Sequence, residues 1–534
     1  MLTPNLSAEV TEFLKGVQTQ GESERCWALN RLEAIWTGQR YQLENRPSFW
    51  DQSVPLRERA PCVQSHLPRT AGLRLAHMVM GSRSFPALTV KGGGYGSALT
   101  PKDIALVQAL VDELIAASKL SLKAREYLIE GLKTGTSVAI QSLCNGKPSI
   151  QILPAKWCTP LLDTQGQVLH MVVQYKIPST TPGTYQWYRR EIGGGLDRVW
   201  KPVPVTKVEP KWESLPLESE GILEFTPVVW TRSLEEGVDE GSNLDGHALA
   251  EGLEDEVEAL DMELSQYYRT AIYNGDPQMV RTGTDPDEAP SPMGEQGPVG
   301  GVFSWFNGKL SGRSGEMALK KAPGKVWNLP EGGDAKLLES SGSGAKIIEG
   351  AIGQLRRVAT DALGVVLADP DTLGAGELSA RALTLMFGPM LDTCDNLRAT
   401  YGDAIILIVG QLLRLCAGEQ ALNGGVHLQS WEDAKPALAK MFASKVVPAK
   451  EEGGEPTMEK VWVNPTVSLG WGDYFSPSWS EVSSAVEATS KATGGKPVLS
   501  QRQAVTLLAK LTGVSNVEDE LAQLASEASP LPTP

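Results

Sequence analysis

The chain contains few of the residues that commonly carry catalytic or metal chemistry. Its 534 residues include six cysteines and five histidines. The cysteines are widely scattered without a CxxC pair, so neither a disulfide framework nor a zinc ribbon is indicated. No HExxH motif, GxSxG nucleophile elbow or Walker motif is present. We therefore predict a protein that is not an enzyme and that needs no cofactor and no metal.

The chain also lacks an excess of basic residues. Its net charge at pH 7 is −15 and its isoelectric point is about 5.0. Broad binding of nucleic acid requires Lys and Arg contacts to phosphate, so this balance argues against adhesion to DNA or RNA. The acidic charge balance is compatible with a DNA duplex that slides past the protein surface without binding.

A membrane anchor and a secretion signal are not indicated either. The most apolar run, Ala404–Leu413, has about ten residues, whereas a helix that spans a bilayer needs roughly 20. The first residues lack the basic stretch and apolar stretch of a signal peptide. We expect synthesis in the cytoplasm and no membrane insertion.

The residues that are present predict a globular α+β chain of three or four folding units. The first 134 residues predict mainly helices, one of which begins at the capping sequence Thr100–Asp103. From Thr134 to Trp230, short alternating runs predict antiparallel strands, with a hairpin turn at Asn145-Gly146. The strand aromatics favour sheet packing over base stacking, because few cations lie between them. The glycine run Lys91–Gly96 lacks phosphate-loop spacing and predicts a surface loop.

The segment Leu234–Arg269 carries most of the net negative charge, with twelve acidic residues against Arg269 alone. Its apolar residues recur every three or four positions from Gly246 onward, which predicts one amphipathic helix with an acidic outer face. Glu254 and Glu258 could form a metal or acid/base pair, but no third ligand lies at helical spacing beside them. A solvated helix face is therefore favoured.

Two further helical patterns follow this acidic helix. A Gly- and Pro-rich β module separates it from an amphipathic, partly basic helix, Ala345–Ala362. After a short loop, a helix of roughly 40 residues begins near Leu378, and Gly388-Pro389 should kink it. The C-terminal part predicts a linker near Glu451–Glu455 and a strand at Val467–Trp471. It also predicts two or three helices, at Trp479–Lys491, Ser500–Thr512 and Val517–Ala525.

The order of these elements resembles the portal proteins of tailed bacteriophages, the head-to-tail connector family. Four segments between Thr134 and Ala525 carry the resemblance: the aromatic-ended helix Leu260–Gly275, the end of the β module at Val326–Asp334, the small-residue start of the long helix at Gly376–Leu383, and Trp471–Glu481 before the C-terminal helices.

The resemblance implies a portal-type fold that assembles as a ring. Its parts would be a wing of N-terminal helices and antiparallel strands (1–245), stem helix 1 (246–273), a clip (274–344), stem helix 2 (345–364), a channel loop (365–377), a long kinked wing helix (378–417) and a helical C-terminal crown (418–534).

The resemblance also implies a function. About twelve subunits would form a channel at one vertex of a capsid, through which double-stranded DNA is packaged and ejected, so the protein would be located in the virion. The implied partners are the terminase large subunit, a head-completion or adaptor protein, and the major capsid and scaffolding proteins.

Two sets of site residues follow from the resemblance. The channel loop would contact the duplex weakly through Asp369, Asp371, Thr372, Leu373 and Glu377. The stem charges Glu254, Glu258, Asp261, Lys346, Arg356 and Arg357 would line the channel or pair between subunits.

For the three basic stem residues we favour ion pairs between subunits over sparse phosphate contacts. An acidic lining would repel DNA phosphates and prevent sticking. Whether the acidic helix faces the channel or the outside stays open, and two alternative functions remain: a virion adaptor without a channel, and a cytosolic multidomain enzyme.

Overall fold

The computed structural model describes most of the chain in separate ranges. These are residues 8–19, 23–81, 85–92, 99–206, 210–234, 244–275, 278–282, 334–338, 343–367, 380–418, 425–447, 457–475, 479–493, 500, 502–505, 508 and 521. The chain divides into two compact units. Unit 1 comprises Met1–Pro47, His66–Val257 and Arg357–Pro534, and unit 2 comprises Ser48–Ser65 and Glu258–Arg356.

The N-terminal part of unit 1 is mainly helical, as predicted. Its elements are α1 (Ala8–Thr19), α2 (Glu24–Thr37), α3 (Arg40–Leu43), α4 (Leu67–Met80), strand β1 (Ala87–Gly92), α5 (Pro101–Ser118) and α6 (Leu120–Thr134). The predicted start of α5 is a reciprocal capping box, in which Thr100 and Asp103 each accept the other's backbone N–H. Lys91 and Gly92 lie in β1 rather than in a loop, and the rest of that glycine run is outside the described residues.

Two antiparallel sheets follow, as the alternating runs predicted. The strands are β2 (Thr136–Cys144), β3 (Lys147–Pro154), β4 (Cys158–Leu162), β5 (Val168–Pro178), β6 (Tyr185–Gly193), β7 (Leu196–Trp200), β8 (Val203–Pro204), β9 (Leu217–Ile222) and β10 (Val228–Arg232). The first sheet has the order β10-β2-β3 and the second β4-β5-β6-β7-β9, with β8 beside β6. Asn145 and Gly146 both have positive φ between β2 and β3, as a tight type I′ hairpin requires. Trp157, Tyr175 and Tyr188 stack in sequence, so these aromatics serve packing.

The long C-terminal helical pattern is two helices, α9 (Ala380–Met386) and α10 (Gly388–Ala417), separated at Phe387. The break lies where Gly388-Pro389 predicted a kink, because Pro389 has no N–H to continue the preceding turn. The helix α10 is long and apolar enough to cross a membrane, yet its buried side chains pack in the core of unit 1. Its fully buried Tyr401 packs edge-on against Tyr127 and shares a 3.0 Å hydrogen bond with Ser137. Burial raises the pKa of Tyr401 to about 12, so it stays neutral.

The remaining part of unit 1 returns to the N-terminal helices. It contains α11 (Trp431–Ala439), β13 (Phe442–Val447), β14 (Thr457–Trp462), β15 (Thr466–Gly470) and α12 (Trp479–Thr493). The strand β15 pairs with β1. On β1, the Gln108 side-chain amide accepts the Val90 N–H and donates to the Leu88 carbonyl oxygen. The sequence did not predict α11 or the β13–β14 pair. The expected linker residues Glu451–Glu455 and most of the last two predicted helices lie outside the described residues.

The helical part of the acidic segment begins at Glu254, not at Gly246 as predicted, and α7 spans Glu254–Gly275. The residues before it donate their backbone N–H groups to other segments. Gly246 donates to the Thr136 hydroxyl, His247 to the Ser233 carbonyl oxygen, and Leu249 to the Leu132 carbonyl oxygen. A helix would require these groups to bond four residues back, and Gly252 has a positive φ of 78°. These contacts therefore outweigh the apolar periodicity.

Unit 2 contains most of α7, the strand pair β11 (Gln278–Thr282) and β12 (Asp334–Leu338), and most of α8 (Ser343–Ala362). The two strands pair antiparallel from Gln278 opposite Leu338 to Thr282 opposite Asp334. The helix α8 agrees with the predicted Ala345–Ala362 to within two residues. The chain thus leaves α7 through one strand and returns to α8 through its partner.

Replacement of Gly246 by Ala should destabilise unit 1. An added methyl group would lie 2.4 Å from Ser233 O and 2.7 Å from Gly135 O, which is too close for non-bonded atoms. We expect the free energy of unfolding to fall by roughly 1–3 kcal/mol, measured by denaturant titration. The control Gly353→Ala adds a methyl with no atom within 4 Å and should stabilise α8 by about 1 kcal/mol. Equal stability of the two variants would contradict the close packing.

The Asp103 carboxylate should make stability depend on pH. Hydrogen bonds from Lys440 and Thr100 hold its pKa at about 2, below the ordinary 3.8. A lowered pKa in the folded state gives stability that is complete above about pH 4 and is lost toward pH 2. The thermal midpoint of Asp103→Asn should therefore lie below that of the wild type at pH 7, and the gap should narrow toward pH 2. A gap that is constant from pH 7 to pH 2 would show that the charge contributes nothing.

Candidate functional site

The most distinctive surface of the described chain lies on the two helices α7 and α8. At about 3.6 residues per turn, the apolar and small residues of α7 form one stripe along the helix. That stripe, called here the α7 stripe, consists of Val257, Leu260, Asp261, Leu264, Ser265, Tyr268 and Ile272. Its first half is buried, with Leu260 2% and Ser265 0% exposed, while Tyr268 is 48% and Ile272 42% exposed.

The helix α8 has a similar apolar stripe, which is exposed near both of its ends. The α8 stripe consists of Ile347, Ile348, Ala351, Ile352, Leu355, Val358 and Ala359. Ala359, near the C-terminal end of the helix, is fully buried. Ile347 near the N-terminal end is 74% exposed, and Val358, beside Ala359, is 53% exposed. The residues between them, Ile348, Ala351, Ile352 and Leu355, are half-buried. Each helix therefore presents exposed apolar side chains along its stripe.

The covered half of the α7 stripe is held by residues 48–65 of unit 2. The Ser265 hydroxyl oxygen accepts the backbone N–H groups of Cys62 and Val63, each at 3.0 Å. The Asp261 carboxylate accepts the backbone N–H of Ser65 at 2.7 Å. Arg59 shapes this segment from within, because its buried guanidinium donates to the carbonyl oxygens of Val54 and Phe49. We call residues 48–65 the strap.

The strap changes the role expected of Asp261. Asp261 was predicted to line the channel or pair between subunits, but its side chain is buried and accepts the Ser65 N–H. The docking of the strap was missed. The available signal was two polar residues four positions apart, Asp261 and Ser265, on the apolar side of a helix. Such residues need hydrogen-bond partners when they are buried.

The other predicted stem charges lie nearer the surface. Glu254 and Glu258 are half-buried, and the Glu254 carbonyl oxygen accepts a hydrogen bond from Arg40 at 2.7 Å. Lys346, Arg356 and Arg357 are exposed on α8. The predicted loop residues Asp369, Asp371, Thr372, Leu373 and Glu377 lie outside the described residues.

The exposed faces of these helices have the composition of association surfaces. Within the described ranges, no three His, Cys, Asp or Glu side chains converge as metal ligands would. The exposed groups are instead apolar side chains flanked by charges of both signs, which is the composition of a surface that packs against another surface.

No protein-family model and no curated protein sequence matches the chain. Among solved structures, the chain is similar to "Virion of native gene transfer agent (GTA) particle", with 11% identity, a TM-score of 0.33, and coverage of 83% of this chain and 89% of that one. It is also similar to "Neck of native GTA particle computed with C12 symmetry", with 12% identity, a TM-score of 0.34, and coverage of 84% and 95%. A third is "Neck of empty GTA particle computed with C6 symmetry", with 12% identity, a TM-score of 0.29, and coverage of 83% and 93%. At these values the similarity by itself assigns no function.

Removal of the Ser265 hydroxyl should release the strap. Ser265→Ala leaves the N–H groups of Cys62 and Val63 without their acceptor, at a cost of about 1–3 kcal/mol. Hydrogen exchange of these two amides should accelerate. The control Thr270→Ala removes a hydroxyl that donates to Gln266 O within the same helix, so exchange in the strap should stay unchanged. Unaltered exchange in Ser265→Ala would mean that other contacts hold the strap.

Proposed function

We propose that this chain is the subunit of a ring-shaped channel for double-stranded DNA at one vertex of a virus-like capsid, as in the portal proteins of tailed bacteriophages. The observation that carries the proposal is the structure of unit 2, in which two long amphipathic helices are joined through an antiparallel strand pair. At about 1.5 Å per residue, the 22 residues of α7 and the 20 residues of α8 are roughly 33 and 30 Å long. Helices of this length can form the wall of a tube when they are repeated around an axis.

The bare stripes support a ring rather than a single subunit. Exposed apolar surface is costly in water, and two different bare surfaces on one chain suit the head-to-tail contacts that close a ring. In the proposed assembly, α7 and α8 form the stem, residues 274–344 form the clip, residues 1–245 and 378–417 form the wing, and residues 418–534 form the crown. The described residues 425–475 pack with α5 and β1 in unit 1, so this part of the crown would lie against the wing.

The charge of α7 supports passage of DNA without binding. Its first turn contains Glu254, Asp255 and Glu256, and its only basic residue is Arg269. Repeated around a ring, these acids would give a wall of negative potential that repels phosphate. The loop 365–377 would then supply the weak contacts with the duplex, through Asp369, Asp371, Thr372, Leu373 and Glu377. A terminase would supply ATP hydrolysis from outside the ring, and an adaptor would connect the ring to the tail.

Electron microscopy of the purified protein tests the proposed assembly. We expect closed rings with a central hole wide enough for a DNA duplex, and no ATP hydrolysis by the protein alone. Monomers or dimers at micromolar concentration, or measurable ATP hydrolysis, would reject the channel and favour an enzyme. Rings without a continuous hole would favour a structural adaptor.

Deletion of Leu373–Gly376 tests the loop within such a ring. The rings should still form, because the deletion leaves both stem helices intact. Packaging or retention of DNA in assembled particles should fall, measured as nuclease-protected DNA per particle. A matched deletion of four residues at the C-terminus, Leu531–Pro534, should have no effect. Undiminished DNA in the loop deletion would reject the contact between loop and duplex.

A further inference from the structure

The side chain of Arg398 on α10 is a buried cation in unit 1. Arg398 is 8% exposed, and its guanidinium carbon lies 3.6 Å from the ring centre of Tyr474 and 5.1 Å from that of Trp471. Both aromatic residues belong to the segment that follows β15. An aromatic face attracts the positive charge, but it supplies no oxygen acceptor to the N–H groups of the guanidinium.

Two donors of Arg398 lack an acceptor. Its Nε and Nη2 atoms are buried and have no hydrogen-bond partner among the described residues. These two atoms form one edge of the guanidinium, and their parallel N–H bonds match the two oxygens of a carboxylate. Other arginines of the chain hold a carboxylate on this same edge, at 2.5 to 3.0 Å: Arg25 holds Asp245, Arg189 holds Glu191, and Arg190 holds Asp197. The Nε/Nη2 edge of Arg398 therefore has the chemistry of a carboxylate site, and no described residue of the chain uses it.

A possible partner on the same helix, Asp395, bonds elsewhere. It lies three residues before Arg398, a spacing at which an acid and a base commonly pair on a helix. Its Oδ1 atom instead accepts the Tyr474 hydroxyl at 2.7 Å, and neither Nε nor Nη2 of Arg398 bonds to it. Burial raises the pKa of the Tyr474 phenol, so the hydroxyl stays protonated and keeps donating. Tyr474 thus holds Asp395 with its hydroxyl while its ring lies against Arg398, which leaves the edge to another anion.

We propose that the Nε/Nη2 edge of Arg398 binds one carboxylate group from outside the chain, carried by a small organic acid or by a glutamate side chain of a bound protein. A buried charge with unpaired donors is costly, so a carboxylate that reaches the edge stabilises the folded protein. Asp395 and Ala399, on either side of Arg398 in the sequence, are exposed, so the guanidinium lies close beneath the surface. The site is independent of the proposed ring, because all of its residues lie in unit 1.

Thermal unfolding of the full-length protein in acetate tests the site. At pH 7 and at an ionic strength held constant with chloride, acetate should raise the thermal midpoint by about 1–2 °C and the rise should saturate. Arg398→Lys keeps the positive charge but lacks the two-donor edge, so it should lose this rise. The control Arg357→Lys changes an exposed arginine on α8 and should retain it. No rise in the wild type, or the same rise in Arg398→Lys, would overturn the proposal.

Tyr474 provides a second test at a residue that does not donate to the bound carboxylate. Tyr474→Phe keeps the ring beside Arg398 but releases Asp395, which should then pair with Arg398 and abolish the effect of acetate. Adding Asp395→Asn to this variant removes the competing charge and should restore the effect. A full acetate effect in Tyr474→Phe, or none in the double variant, would reject this account of the site.

A short polyglutamate peptide distinguishes the two sources of the carboxylate. At equal carboxylate concentration, the peptide should raise the thermal midpoint at least as much as acetate if a protein side chain reaches the edge. An amidated polyglutamine peptide is the control and should have no effect. An effect of acetate without an effect of the peptide would assign the site to a small organic acid, and failure of both ligands would overturn it.

Discussion

The start of α7 depends on one close backbone crossing in unit 1. The segment that precedes α7 passes between Gly135 and Ser233, and Gly246 has room there only because it lacks a side chain. Thr136 and Arg25 hold the neighbouring Asp245 through hydrogen bonds to its carboxylate of 2.9 and 2.8 Å. Arg25 also donates to the carbonyl oxygens of Ala155, which precedes β4, and of Cys158, the first residue of β4. This network fixes the path of the chain at Asp245 and Gly246, ahead of the turn that leads into the acidic helix.

In unit 2, polar residues in the α7 stripe fix the position of the strap on the helix. A stripe made only of leucine and valine could slide along any apolar surface, because hydrophobic contact has no direction. Asp261 and Ser265 add directional bonds to three backbone N–H groups of the strap. Burying these two side chains without partners would be costly, so the strap has a single register on the helix. The half of the stripe that lacks such polar residues is the half that is left bare.

Local patterns in the sequence predicted the elements better than their ends or their partners. The capping box at Thr100 and the hairpin at Asn145-Gly146 depend on neighbouring residues alone, and the structure has both. The start of α7 depends on contacts with residues about one hundred positions away, so periodicity placed it eight residues too early. The pairing of β1 with β15 joins strands almost 380 residues apart, and the residues of neither strand identify the other as its partner. The buried role of Asp261 was missed for the same reason.

The charges of α7 can be separated by the side of the helix on which they lie. The buried Asp261 carboxylate accepts the Ser65 N–H, whereas Glu258 is half-buried at the edge of the stripe. Asp255 and Glu263 lie on the side away from the stripe, and Glu256 lies at its other edge. The acids of α7 therefore do not form one uniform face. Because the apolar stripe sets the orientation of the helix, it decides which carboxylates are bonded within the subunit and which stay at the surface.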